Sequence, residues 1–302
     1  MGCHMLAVVD SSSPAAERAL QHVPAWFEEW EQALSRFRFD SELSRLNRSA
    51  GQPVTVSETL WDVFHAARRA EMFTGGLVRP TVLDALVRAG YDRSFDLLPA
   101  LSEASLTLTK ASIVEGPDLA TEAGWDAATR SLYLPESVHL DFGGLAKGWA
   151  AQKASARLEE YGPALVDAGG DIAISGPDTH GQPWALGIRD PFQPDTHFET
   201  LRVERGGIAT SGIDYHRWLQ GGVWNHHIID PRTGLPVETD ILTATVIAPD
   251  AVQAEAAAKS VLIAGSRSGL DWLEVDQDLA GVLVLQSGER VYSQRMTAYL
   301  WR

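Results

Sequence analysis

Four polar segments marked by glycine hold the side chains with chemical reach. In Leu140-Asp141-Phe142-Gly143-Gly144-Leu145-Ala146-Lys147-Gly148 a short apolar run meets two glycines and then a helical pattern. A strand, a glycine turn and a helix start can leave backbone N–H groups open to an anion, with the helix dipole assisting. Lys147 would add a point charge for a phosphate. The same residues also read as a tight strand-to-helix turn with an exposed lysine. In Val166-Asp167-Ala168-Gly169-Gly170-Asp171 paired glycines between two short strands mark a close backbone approach, either to a ligand or to another strand. Ala209-Thr210-Ser211-Gly212 leads through an aromatic stretch to His226-His227-Ile228-Ile229-Asp230-Pro231-Arg232-Thr233-Gly234. Neighbours on a strand face opposite sides, so the two histidines cannot share one site. His227 and Asp230 form an HxxD pair suited to a general base and its orienting group, or to a metal, against the reading of a structural histidine. Ser41-Glu42-Leu43-Ser44-Arg45-Leu46-Asn47 reads as an N-capped helical turn. There is no GxxxxGK[ST] loop and no GxGxxG after a first strand, which argues against P-loop and Rossmann domains.

The elements that must position these residues can be read from periodicity. Leu20, Val23, Phe27, Trp30 and Leu34 recur at helical spacing after Ser13-Pro14, which predicts an amphipathic helix over 14–36. A second helix is expected from a Ser57 cap to Met72, stopped by Thr74-Gly75-Gly76, and a short one over 82–90. Strands are predicted at 5–9, 131–134, 138–142, 164–167, 171–175, 184–189, 200–204, 207–210 and 241–248. Helices are expected from Gly143-Gly144 to Tyr161 and over 252–264, with a closing hairpin about Ser287-Gly288. Consecutive strands mixed with helices argue for an α+β fold of mostly antiparallel sheets with flanking helices, in one compact unit with two lobes.

The 302 residues carry 40 acidic and 25 basic side chains, a net charge of −15. With no run of four Lys/Arg, nucleic acid is a poor partner. The single cysteine, Cys3, excludes a disulfide framework and a Cys-based metal site. No 18-residue apolar stretch is present, so no stable membrane anchor is expected. Met1-Gly2-Cys3 ahead of the MLAVV strand reads as the native start, and MGCHMLAVVD lacks the pattern of a signal peptide. The expected location is therefore cytoplasmic.

The four segments, in this order and spacing, resemble the ApbE family of FAD:protein FMN transferases across nearly the whole chain. Residues 39–47, 140–150, 167–176, 209–212, 226–237 and 246–265 carry the likeness, with Gly75-Gly76 and Pro80-Thr81. The resemblance implies that residues 1–302 form one ApbE-like domain with FAD in a groove between two lobes. It implies cleavage of the FAD pyrophosphate and transfer of FMN to a Thr/Ser hydroxyl of an acceptor protein, with release of AMP. Other readings are an FAD-binding protein without transfer activity, or an FAD pyrophosphatase giving FMN and AMP. By the family pattern His227 is the base, Asp230 orients it or helps a metal, and Lys147 with the Gly143 and Gly144 amides holds phosphate. Met1, Ser44, Asn47, Thr81, Gly170, Asp171, Thr210 and Ser211, with His227, line the flavin nucleotide. A Mg2+ site is implied at the Ala146 carbonyl and position 255. The family's A-D-x-x-x-T helix appears here as Ala254-Glu255 and Lys259, so the Lys259 ammonium is expected to stand where the ion would, or else to form a surface ion pair with Glu255. Arg79 and Gln152 stand where aspartates are usual and are expected to face the nucleotide.

Overall fold

Seven short, mostly apolar runs build the central element. A computed structural model describes residues 3–98, 117–220 and 222–302. The strands Met5–Val9, Ala164–Ala168, Asp171–Ile174, Gly206–Gly212, Ile241–Ala248, Ala280–Leu285 and Arg290–Tyr292 lie side by side in that order. Every neighbouring pair is antiparallel. One face, with Leu165, Ile174, Ile208, Ile247 and Val282, packs on the Trp184–Arg189 and His197–Val203 hairpin and on Met296. The helices Ala146–Leu158 and Ala251–Ala264 pack on the sheet as well. The second of these helices is apolar and alanine-rich, and ten of its residues are buried. Such a helix depends on close packing on every side.

The chain divides into two compact units. The first comprises the residues through Trp30, Leu145–Gly212 and Thr239–Arg302, and holds the seven-stranded sheet. The second comprises Glu31–Gly144 and Ile213–Glu238. It holds the helices Glu42–Arg48, Glu58–Phe73 and Leu83–Arg88, and a three-stranded sheet of Pro53–Thr55, Ser131–Tyr133 and Gly124–Asp126. Its hairpin of Arg217–Gln220 and Val223–His226 is anchored by Trp218, whose Nε1–H donates to the Ala89 carbonyl at 2.7 Å.

The helix Pro14–Leu34 buries Ala16, Ala19, Val23, Phe27, Trp30 and Leu34, the stripe its spacing predicts. The α+β class with antiparallel sheets is the observed one. Residues 138–142 are not a strand, and this corrects the expectation: the run pairs with no strand. Its backbone bonds to single groups instead, Leu140 to the Asn47 side chain and Asp141 N–H to the Pro80 carbonyl at 2.7 Å. No described helix is long and apolar enough to cross a membrane.

Candidate functional site

In the first unit four charged side chains from three elements converge. Lys147 is the second residue of the Ala146–Leu158 helix, and Asp171 opens the Asp171–Ile174 strand. Glu255 and Lys259 sit one turn apart on the Ala251–Ala264 helix. The Lys147 ammonium donates to Asp171 Oδ2 and to Glu255 Oε1, the latter at 2.8 Å. Lys259 Nζ donates to the same Oε1 at 2.9 Å. Glu255 Oε2 accepts the Gly148 N–H at 2.9 Å. Position 148 must be glycine for this contact, since a Cβ there would lie 2.5 Å from the Ala251 carbonyl oxygen and 3.0 Å from Glu255 Oε2.

The Glu255 side chain is fully buried and that of Lys259 only 12% exposed, so their i,i+4 pair belongs to the interior and not to a solvated surface. Burial alone would push the Glu255 carboxyl up, but Lys147 and then Lys259 outweigh it and hold it below the ordinary range. Burial would likewise lower Lys147, yet Asp171 and Glu255 hold it above the usual lysine range. Asp171 moves the other way, raised by burial and by the Glu255 charge beyond what Lys147 and Lys259 return.

This arrangement corrects the expected phosphate cradle. The helix start does bind an anion, but the anion is the Glu255 carboxylate, held by the Gly148 N–H and the Lys147 ammonium. The Gly143 amide is not open either, because its N–H donates to Asp141 Oδ1 at 2.7 Å. Gly144 is half-buried in the turn that follows. Ala146 is buried at the first position of the helix.

Gly169 and Gly170 form the two-residue turn between strands, with φ of 71° and 94°. Positive φ at both positions is the type I′ pattern that hairpins favour, so the paired glycines are first of all a turn. The Gly170 N–H donates to Asp167 Oδ1 at 2.7 Å. Thr210 and Ser211 point to opposite faces of the sheet. Thr210 shares the Ile208 side and hydrogen-bonds Thr245 across the strands at 2.9 Å. Ser211 is buried on the side that carries Asp171. The two therefore cannot line the same surface.

In the second unit Asn47 clamps the Leu140 backbone, its Nδ2 donating to the carbonyl and its Oδ1 accepting the N–H, both at 2.8 Å. Its amide thus holds protein backbone where a flavin contact was expected. Ser41 caps the helix Glu42–Arg48, its Oγ accepting the Ser44 N–H at 3.0 Å. The buried Thr81 hydroxyl donates to the Pro117 carbonyl. The Asp230 carboxylate accepts from Arg232, through backbone N–H and Nε at 2.9 Å and Nη2 at 2.7 Å. His227 packs edge-on against His216, ring centroids 5.3 Å apart. Met1 lies outside the described residues.

Two of the expected cationic and neutral replacements have other partners. Arg79 Nε donates to the Gly76 carbonyl at 2.8 Å and pairs with Glu71. Gln152 Oε1 accepts the Ala251 N–H at 3.2 Å, satisfying the start of the next helix. Trp149 is core, packed edge-on against Trp30 at 5.5 Å. Sequence reasoning missed Arg36, whose Nε pairs with Asp141 Oδ2 at 2.6 Å and whose guanidinium lies over the rings of Phe37 and Tyr91. Only Asp141, two residues before Gly143, carried a local signal, since Asp side chains commonly bond backbone two residues on.

Mg2+ demands near-octahedral oxygen ligands at about 2.0–2.1 Å. Both Glu255 oxygens are already committed to two ammonium groups and an N–H. Among the described residues no group of three His, Cys, Asp or Glu could hold a metal ion. The residues present do not fit the implied ion.

The sequence profile of the ApbE family matches residues 1–283. The chain belongs to the ApbE family. Among relatives in the family, the FAD:protein FMN transferase of Vibrio cholerae is 31% identical over 258 residues, 83% of this chain and 74% of that protein. The FAD:protein FMN transferase of Treponema pallidum is 34% identical over 278 residues, 85% and 75% respectively. In fold, the crystal structure of the ApbE protein of Thermotoga maritima is similar with a TM-score of 0.84 at 24% identity, covering 100% of this chain and 97% of that one. The flavin transferase ApbE from Vibrio cholerae gives 0.77 at 23%, covering 99% and 96%.

Proposed function

We propose that the chain transfers the FMN moiety of FAD to a threonine or serine hydroxyl of an acceptor protein and releases AMP, with residues 1–302 acting as one transferase domain. The observation that carries this reading is membership of the ApbE family, with relatives named FAD:protein FMN transferase at 31% and 34% identity over most of the chain. In the step itself the acceptor hydroxyl oxygen bonds to the FMN-side phosphorus. The bond from that phosphorus to the bridging oxygen breaks, and AMP leaves with its electron pair. The hydroxyl proton passes to a base, for which His227 is the candidate. Negative charge on the phosphoryl oxygens calls for fixed positive charge nearby.

The test is purified protein with FAD and a Thr/Ser acceptor peptide, read by intact mass and by chromatography of nucleotides. A mass gain of one FMN on the peptide, with stoichiometric AMP, is expected, and His227→Asn should abolish it. AMP and free FMN without that gain would indicate hydrolysis. FAD left intact on the protein would overturn both enzymatic readings.

A further inference from the structure

We propose that Lys259 holds the place of a divalent cation beside Glu255, so that no such cation binds there and the FAD pyrophosphate is cleaved without Mg2+. The inference rests on the flavin-transfer reading above and adds that the cation beside Glu255 is a side chain of the chain itself. Glu255 has two oxygens, and both are occupied. Oε1 is shared by Lys147 at 2.8 Å and Lys259 at 2.9 Å, and Oε2 accepts Gly148 N–H at 2.9 Å. A dication could reach Glu255 only by displacing an ammonium from Oε1 or by taking the remaining lone pair of Oε2, on a carboxylate that already carries two ammonium groups.

Charge balance argues the same way. Glu255 supplies one negative charge and Asp171, whose carboxyl burial pushes up, at most a second, against two positive charges from Lys147 and Lys259. A dication added to that set would leave an excess of positive charge in a pocket where Glu255 and Asp171 are almost wholly buried. Glu255 is also the one acceptor of Lys259 among the described residues. A lysine is held at 12% exposure only when its charge is paired, so the side chain is fixed at this carboxylate. Threonine at the same position would instead bring a hydroxyl and leave the two carboxylates with a single cation, a set that invites an ion.

The attack is the one written above: the P–O bond to the acceptor or to water forms, the bond to the bridging oxygen breaks, and AMP departs with the electron pair. The ammonium groups require no added reactant.

The test uses the whole chain with FAD and the Thr/Ser acceptor peptide. AMP release is followed by chromatography in excess EDTA and in Mg2+, and Mn2+ is titrated in parallel by electron paramagnetic resonance. Wild type should release AMP equally in both buffers and leave Mn2+ free. Glu255→Asp combined with Lys259→Thr should bind Mn2+ and make AMP release sensitive to EDTA. Lys259→Met, similar in length and uncharged, should lose AMP release by about tenfold in EDTA. Circular dichroism checks that each variant folds, and the wild-type and Lys259→Met arms decide if the double variant does not. Stoichiometric Mn2+ binding by wild type, or AMP release that stops in EDTA and returns with Mg2+, would overturn the proposal. If no AMP forms under any condition, the transfer reading falls and metal-free cleavage with it. The Mn2+ titration then decides separately whether Lys259 excludes the ion.

Discussion

Replacing Glu255 by glutamine removes one charge and almost no volume, so its cost isolates the electrostatics of the buried cluster. Lys147 would keep Asp171, but Lys259 would lose its one acceptor among the described residues while remaining 12% exposed. Breaking a buried pair from one side costs about 3–5 kcal/mol, and the residual exposure of Lys259 places this case near 3. The Gly148 N–H would exchange a carboxylate for a weaker amide acceptor at about 1 kcal/mol more. The expected loss is therefore about 4 kcal/mol, a large share of the ~5–15 kcal/mol that holds a domain folded. Lys259→Met should cost less, about 1–2 kcal/mol, because Glu255 keeps Lys147 and Gly148. In the double variant no cation is stranded, so its cost should fall about 2 kcal/mol below the sum of the singles. Urea unfolding followed by far-ultraviolet circular dichroism at neutral pH reads all three from the midpoint at unchanged slope. A Glu255→Gln protein within about 1 kcal/mol of wild type, or strict additivity in the cycle, would refute the reasoning.

Gly148→Ala should destabilise by about 2–3 kcal/mol in a melting experiment, since the new methyl would press on the Ala251 carbonyl and on Glu255. Asn47→Ala removes two hydrogen bonds to Leu140 and should cost about 2 kcal/mol in urea, and Asn47→Asp, which sets a carboxylate oxygen against the Leu140 carbonyl, should cost at least as much. His226 donates from Nε2 to the Val237 carbonyl at 3.1 Å and accepts the Ile228 N–H on Nδ1 at 3.3 Å, which fixes the neutral tautomer. Burial lowers its pKa and Arg217 adds to this, against the partial return from Val237. The unfolded chain therefore takes the proton first, and stability should fall as pH drops below about 6.5, toward the lower folded value. Melting temperatures between about pH 7.5 and pH 5 should show a smaller loss in His226→Gln than in wild type.

Local patterns made the frame legible. The 3–4 spacing from Val23 to Leu34 marked a buried stripe, and the short run over Ile241–Ala248, rich in β-branched residues, marked a buried strand. Residues 138–142 have the same apolar look, yet their hydrogen bonds go to Asn47 and Pro80, partners that no local period reveals. The functional segments were equally legible as segments, because glycines and polar residues punctuate them. The partners were not. Lys147 is taken by Asp171 and by Glu255, 24 and 108 residues away, and Arg79 by Glu71. A lysine in a helix's first turn looks free until the fold brings carboxylates to it. Lys259 was readable because Glu255 lies one helical turn before it, within reach of local reasoning.

The strand order of the large sheet also bears on how the protein is made. Its seven strands stand in the order in which a ribosome delivers them, but the first, Met5–Val9, pairs with Ala164–Ala168. At ~5–20 residues per second, the first strand waits roughly 10–30 s for its neighbour. From Asp171 onward each newly made strand docks on the one before it, and the sheet grows in a single direction as the chain emerges. A stall before residue 164 would leave an unpaired strand waiting on the ribosome, and the same stall afterwards would leave a sheet with one open, growing edge.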